Sequence, residues 1–366
     1  MHKTSAWPLA LIYAALIVYA SLYPFEGWRD QGIAPWAFLA SPLPRYWTGF
    51  DVAANVVGYM PLGGLLALSA MRRGGSPRVR AVALATLAAL ALSLAMEMLQ
   101  SYLPSRVASN VDLALNVAGA WAGALAAWVL EQGGAIARWS RFRDRWFVDD
   151  ARGALVLLAL WPAALLFPAS VPFGLGQVLE RLEAAVAEWL LDTPFLEWLP
   201  VREIELQPLV PGIELVCVTL GALIPCLLAY CVVRTPGRRL LVMLSAIGVG
   251  VLATALSAAL SWGPVHAWAW LSAPVRVGLG ASVVLGLLAL LLPCRGSAAV
   301  LLLALAVHLS LLNQAPASAY FTQTLQTWEQ GRFIRFNGLA QWLGWLWPYA
   351  ALAYVLQRLS RREGKN

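Results

Sequence analysis

The chain has 366 residues, of which 60% are hydrophobic and only 12% charged, with a mean hydropathy of +0.68 and a formal net charge of +7. Soluble domains carry about 25% charged residues, so this composition excludes an ordinary soluble protein and predicts an all-α polytopic integral membrane protein. The positive charge does not read as a nucleic-acid patch, because no basic stripe carries interleaved aromatics or a recognisable binding motif.

In chain order, mainly apolar stretches long enough to cross a bilayer fall at roughly 7–23, 52–71, 81–103, 113–130, 154–171, 212–233, 240–262, 275–292, 298–312 and 338–356. The expectation is about ten transmembrane helices. The first stretch follows a single lysine and lacks a convincing small-residue cleavage site, so it is read as a retained span and not a signal peptide. Many tryptophans near span ends, such as Trp28, Trp36, Trp47, Trp262, Trp268, Trp270, Trp342, Trp345 and Trp347, fit interfacial belts. Cys217, Cys226, Cys231 and Cys294 lie in or beside spans without a CxxC pair or a His-rich partner and read as packing residues.

The expected organisation is a four-helix transmembrane domain at 7–130, a charged cytoplasmic linker at 131–152, and a six-helix region at 153–362. The linker is either a solvated loop or a surface helix held by anionic lipid. Segment 174–211 is acidic, with Glu180, Glu183, Glu188, Asp192, Glu197, Glu203 and Glu205. Within it Val178, Leu179, Leu182, Val186, Trp189 and Leu190 recur at helical spacing and predict an amphipathic surface helix. With both termini inside, 18 of the 26 Lys and Arg residues fall on the cytoplasmic side; the eight outside are Arg29, Arg45, Arg106, Arg181, Arg202, Arg276, Arg332 and Arg335. That orientation brings the polar span ends of the first domain to the outer face.

A parallel repeat of the four-span unit is a second expectation. Ser21, Pro24, Phe25 and Gly27 resemble Ser170, Pro172, Phe173 and Gly174; Asp51, Gly58 and Pro61 correspond loosely to Glu214, Gly221 and Pro225. On the same alignment Glu97 faces Ser257 and Asp112 faces Ser272. A partial third copy echoes Phe50, Asp51, Asn55, Gly58 and Tyr59 in Phe336, Asn337, Gln341, Gly344 and Trp345. Chance resemblance between compositionally biased segments is the competing explanation.

The residues that carry chemistry sit in spans two to four. Asp51 with Asn55, and Asp112 with Asn116, are spaced i,i+4; Glu97 with Gln100 is i,i+3; each pair therefore shares one helix face. Ionisable groups in such segments are costly and mark function by default. Arg106, in the short link between spans three and four, is the natural counter-charge because its guanidinium stays protonated and binds carboxylates through two parallel bonds. The competing reading is that these side chains only pin helices together, through hydrogen bonds worth about 1 kcal/mol each. Gly58, Gly63, Gly64, Gly119 and Gly123 read as close-packing positions, and Pro61 as a kink. His266 and His308 are isolated, and neither a GxSxG nor an HExxH motif is present.

The stretches FDVAANVVGYMPLGGLL, EMLQSYLPSRVAS and NVDLALNVAGAWAG, taken in order, resemble the VanZ-like family. The family's pattern pairs an Asp/Asn-bearing second span with Glu-x-x-Gln, a Pro-x-Arg link and an Asp-x-x-x-Asn entering the fourth span. The resemblance covers about a third of the chain and carries the family's polar set onto Asp51, Asn55, Glu97, Gln100, Arg106, Asp112 and Asn116. It implies a protein of the bacterial cytoplasmic (inner) membrane, associated with the cell envelope and with low-level resistance to teicoplanin-type glycopeptides. It does not imply a settled reaction, and the six further spans depart from the minimal unit.

The leading expectation is therefore a protein that binds or translocates an amphiphilic envelope component, polyprenyl-linked or otherwise lipid-borne, with membrane lipids as partners and no cofactor. An intramembrane enzyme acting on a lipid-linked precursor, with Glu97 and Asp112 as acid and base or with Asp51 around a divalent cation, is one alternative. A structural partner in an envelope-polymer assembly is the other.

Overall fold

A computed structural model describes residues 6–23, 25–43, 49–73, 77–167, 169–198, 209–315 and 334–363. Lys3, Pro24, Arg45, Trp47, Arg202, Glu203, Glu205, Arg332 and Lys365 fall outside these residues, as do the side chains of Phe50, Arg73, Arg335, Phe336, Asn337, Arg361 and Arg362. Among the described residues every named element is a helix, and the β-pairing is one isolated antiparallel bridge between Phe147 and Val233. Six of its helices are long and apolar enough to cross a membrane, and three shorter apolar helices accompany them. This is a multi-pass membrane protein.

Two compact units divide the chain, Met1–Phe142 and Arg143–Asn366. The first holds α1 (Ala6–Leu22), α2 (Gly49–Arg73), α3 (Arg78–Gln100) and α4 (Asn110–Gln132). Its central pair is α2 and α4, which run parallel with their backbones almost touching. A Cβ placed on Gly119 would overlap the Val56 carbonyl; one on Gly123 would overlap that of Met60; one on Gly63 would overlap that of Ala120. Small residues at helical spacing are what allow membrane helices such an approach, because without water between them packing and close contact drive association. Gly64 is slightly looser, its Cβ position lying 3.3 Å from the Gly123 carbonyl oxygen. Gly58 departs from the expectation. Nothing lies within 4 Å of where its Cβ would be, and its carbonyl accepts a hydrogen bond of 3.0 Å from the Tyr13 hydroxyl of α1 instead.

Helix α3 runs antiparallel to α4. Ala85, near its start, packs with Ala124 and Ala127 toward the end of α4, whereas Ser93 meets Asn116 near the beginning. Ile17 of α1 packs with Tyr59, Leu62, Ala89 and Ala120. The C-terminal ends of α1 and α3 and the N-terminal ends of α2 and α4 consequently share one end of this unit.

The charged segment after α4 contains α5 (Ala135–Trp146), an amphipathic helix on which Trp139 stacks against Phe142 at 5.5 Å. The second unit continues with α6 (Arg152–Ala164), α7 (Leu179–Leu190), α8 (Pro211–Tyr230), α9 (Pro236–Trp262), α10 (Ala273–Ala289), α11 (Cys294–Leu312) and α12 (Ile334–Glu363). Helix α8 is its axis, buried without interruption from Val218 to Tyr230 apart from its one partly covered residue, Leu220, and packed against α6, α9, α10 and α11. Cys217, Cys226 and Cys231 are buried in this core as free thiols, as packing residues would be.

The fifth apolar stretch does not remain helical to residue 171. Helix α6 ends at Ala164, and the following segment, rich in Pro and Gly, folds into the core as irregular chain, with Val171 5%, Phe173 2% and Leu175 3% exposed. Irregular backbone survives inside a membrane protein only where protein satisfies its polar groups. Here Asn313 does much of that: its Oδ1 accepts from the Val178 and Leu179 amides, at 2.9 and 3.1 Å, and its Nδ2 donates to the Gly176 carbonyl at 3.0 Å. Gln177 donates to Ala315 O, and the Tyr349 hydroxyl donates to Gly176 O. The first of these bonds also cap α7, the amphipathic helix expected here.

Candidate functional site

Three residues one turn apart, Ser93, Glu97 and Gln100, form a polar stripe along the last turns of α3, and all are buried, at 0%, 3% and 3% exposure. Their spacing places them on one face. The chain then makes a tight link, with Leu103 fully buried against Leu22 and Met96, and this apolar anchor fixes where Arg106 begins. Arg106 Nη2 donates to the Tyr23 carbonyl just beyond α1, at 2.6 Å. Gln100 Nε2 donates to the Ser21 carbonyl of α1, at 2.9 Å.

The start of α4 is organised by Ser109. Its hydroxyl accepts from the Asp112 amide at 3.3 Å, an N-cap of the Ser-x-x-Asp type, while its own amide donates to Glu97 Oε2 at 2.8 Å. Glu97 thereby ties the end of α3 to the first turn of α4. One turn further on, Asn116, 5% exposed, donates from Nδ2 to Ser93 Oγ at 2.9 Å. Asp51 occupies the first turn of α2 and Asp112 that of α4, where the positive end of the helix dipole favours an acidic side chain. Because α2 and α4 run parallel and in contact, both carboxylates belong to the same end of the unit. Asp51, Asn55, Arg106 and Asp112 are half-buried.

The connection between α1 and α2 is sewn onto this end. The Arg29 amide donates to Tyr102 O at 3.0 Å, Gln31 Nε2 to Ser101 O at 2.7 Å, and Asn110 Nδ2 to Ser41 O at 2.8 Å. Along the same strap Ile33, Trp36, Leu39 and Leu43 are exposed. Phe25 adopts a left-handed backbone, with φ of 69°.

All seven residues singled out from the sequence thus lie at one end of the first unit. Among the described residues no group of three His, Cys, Asp or Glu side chains is placed to hold an ion. Sequence reasoning passed over Ser93, Ser109 and Gln31, and used Ser21 only in the repeat. Ser109 was findable from its Ser-x-x-Asp spacing, and Ser93 from its place one turn before Glu97; the Ser21 and Gln31 contacts leave no local signature.

In chemical terms the site is rich in acceptors. Gln100 Oε1 and Asn116 Oδ1 are buried without a hydrogen-bond donor, beside the Glu97 carboxylate.

Helical span ends, an intramembrane polar cluster and a covering strap define a polytopic membrane protein with its candidate site at one end of a four-helix unit. The VanZ/LLP1 family model matches residues 5–131, which is this unit, so the chain is similar to that family over its N-terminal part. No curated protein and no solved structure matches the chain.

Proposed function

We propose that the N-terminal unit binds the polar head of an amphiphilic, lipid-borne envelope component, or moves it, at the outer leaflet of the bacterial inner membrane. The observation that carries this reading is the convergence of Asp51, Glu97, Gln100, Arg106, Asp112 and Asn116 at one end of the unit, several of them deeply buried. Buried ionisable groups in a membrane protein are expensive to keep. The strap docked on this end suits a ligand with a hydrocarbon chain, since Ile33, Trp36, Leu39 and Leu43 are exposed along it. A role in tolerance of teicoplanin-type glycopeptides is the physiological setting that the family likeness suggests.

The topology belonging to this reading has both termini inside and ten spans: the six long helices, the three shorter apolar ones and α12. A parallel repeat finds support in one local feature. Phe25 and Phe173, which the repeat pairs, are both left-handed, whereas the caps at Ser109 and Ser272 stand three residues out of the register that sets Asp112 opposite Ser272.

One observation favours a second, structural reading. Ser109 to Glu97, Asn116 to Ser93, Gln100 to Ser21 and Arg106 to Tyr23 are all bonds within the protein, as helix-pinning residues in a structural partner of an envelope assembly would make. The two readings separate in one experiment. Native mass spectrometry in mild detergent detects a retained lipid, and Glu97→Gln abolishes that retention at unchanged thermal stability if the unit binds a head group. If the residues only pin helices, Glu97→Gln lowers the melting temperature and no lipid is retained by either protein.

A further inference from the structure

Resting on the head-group reading above, we infer that the head bound by the N-terminal unit is a primary ammonium, a cationic N–H donor, and not a phosphate or a quaternary amine. The inference starts from two orphaned atoms. Gln100 Oε1 and Asn116 Oδ1 are carbonyl acceptors in side chains that are 3% and 5% exposed, and neither has a donor. A buried acceptor left unmade costs free energy that water would otherwise have supplied. The great majority of buried polar atoms are satisfied, so such atoms call for a ligand or a bridging group.

For Gln100 the orientation follows from the other end of the amide. Gln100 Nε2 donates to the Ser21 carbonyl, an oxygen that can only accept, so the amide cannot be turned round without losing that bond. Asn116 Nδ2 donates to Ser93 Oγ, a hydroxyl that can itself donate, so Gln100 alone has its orientation fixed by its partner. On α3, Gln100 lies one turn after Glu97 and Ser93 one turn before it. The two orphaned acceptors therefore bracket the Glu97 carboxylate along one helix face, and the three present oxygen in succession.

Charge gives the same answer. Asp51, Glu97 and Asp112 stand at this end with Arg106, whose Nη2 donates to the Tyr23 carbonyl. A phosphate brought here meets carboxylates and unpaired carbonyl oxygens, which repel it. An –NH3+ group has three donors and no acceptor, which matches a carboxylate flanked by two amide oxygens. A trimethylammonium carries the same charge but no N–H, so it leaves both amide oxygens unsatisfied.

The test uses the full-length protein in mild detergent with three phospholipids of identical acyl chains, phosphatidylethanolamine, phosphatidylcholine and phosphatidylglycerol, and reads retention by native mass spectrometry. Phosphatidylethanolamine is expected to exceed phosphatidylcholine in occupancy by about tenfold, the value of one charge-assisted hydrogen bond. Phosphatidylglycerol, with hydroxyl donors but a net negative head, is expected to trail both. Asn116→Leu should reduce the ethanolamine preference, and Asn116→Asp, which keeps an acceptor there, should preserve it; a melting curve on each variant separates this from misfolding. Equal retention of ethanolamine and choline heads overturns the ammonium inference while leaving head-group binding intact, as does preference for phosphatidylglycerol. Retention of none of the three, by a protein that melts normally, overturns the head-group reading itself.

Discussion

Glu97 has two separable duties. Its Oε2 receives the Ser109 amide and so positions the first turn of α4, and in the proposed reading its carboxylate also holds the ligand. An amide in its place keeps an oxygen for Ser109 but removes the charge, so Glu97→Gln is expected to melt within a few degrees of the parent and yet lose ligand retention. Asp112→Asn should behave alike, because the Ser109 cap uses the Asp112 backbone amide and not its carboxylate. Arg106→Lys is expected to fail as well, since an ammonium cannot reproduce the planar guanidinium fork. Should the loss of retention in these three variants track their loss of melting temperature, helix pinning is their whole role. That these side chains gather at one end of the unit was legible from the sequence because charge in an apolar segment is conspicuous, and the i,i+4 and i,i+3 spacings foretold shared faces. The hydroxyls that organise them, Ser93 and Ser109, were less visible, as serine is common and cheap in such helices. Arg239 shows the reverse case: counted with the cytoplasmic basic residues, it is 6% exposed and donates to the Leu290 and Leu292 carbonyls at 3.0 and 2.6 Å, closing the end of α10.

Between helices, the contact of α2 with α4 depends on missing side chains. Gly119→Ala and Gly123→Ala each push a methyl into an opposing backbone carbonyl, which cannot rotate away, so the helices must separate. Overpacking of this kind costs about 1–3 kcal/mol, and each variant is expected to melt lower. Gly58→Ala is the matched control. Its Cβ enters open space, and alanine's better helix propensity is worth up to about 1 kcal/mol, so its melting temperature should hold or rise. A common loss across all three positions would contradict the packing account. The stripe of small residues was readable as a close-packing signal, but nothing in the pattern distinguished Gly58 from Gly119, because which glycine faces a neighbour depends on helix rotation. The fifth apolar stretch was misjudged for a related reason. Hydropathy cannot tell a helix in lipid from irregular chain in a protein core, and the decisive partner, Asn313, lies far along the sequence.

For the whole chain, composition alone was enough to establish a helical membrane protein, and the VanZ-like likeness to place the polar set; the number of spans and their direction rest on basic-residue asymmetry. Reporter fusions after Gln132 and Gly237 are expected to read cytoplasmic, and one near Asp192, in the exposed stretch after α7, to read external. A reversed pattern would put the polar end of the first unit on the inner leaflet and remove the outer-leaflet assignment. The repeat, by contrast, was only faintly legible, since its matches are single residues in segments of similar composition. The central claim, that the polar end of the N-terminal unit holds a lipid head, is met most directly by the native mass spectrum of the wild-type protein beside Glu97→Gln. The account expects a stoichiometric lipid adduct on the first and none on the second, at matched thermal stability. An adduct of equal occupancy on both, or none on either, would contradict it.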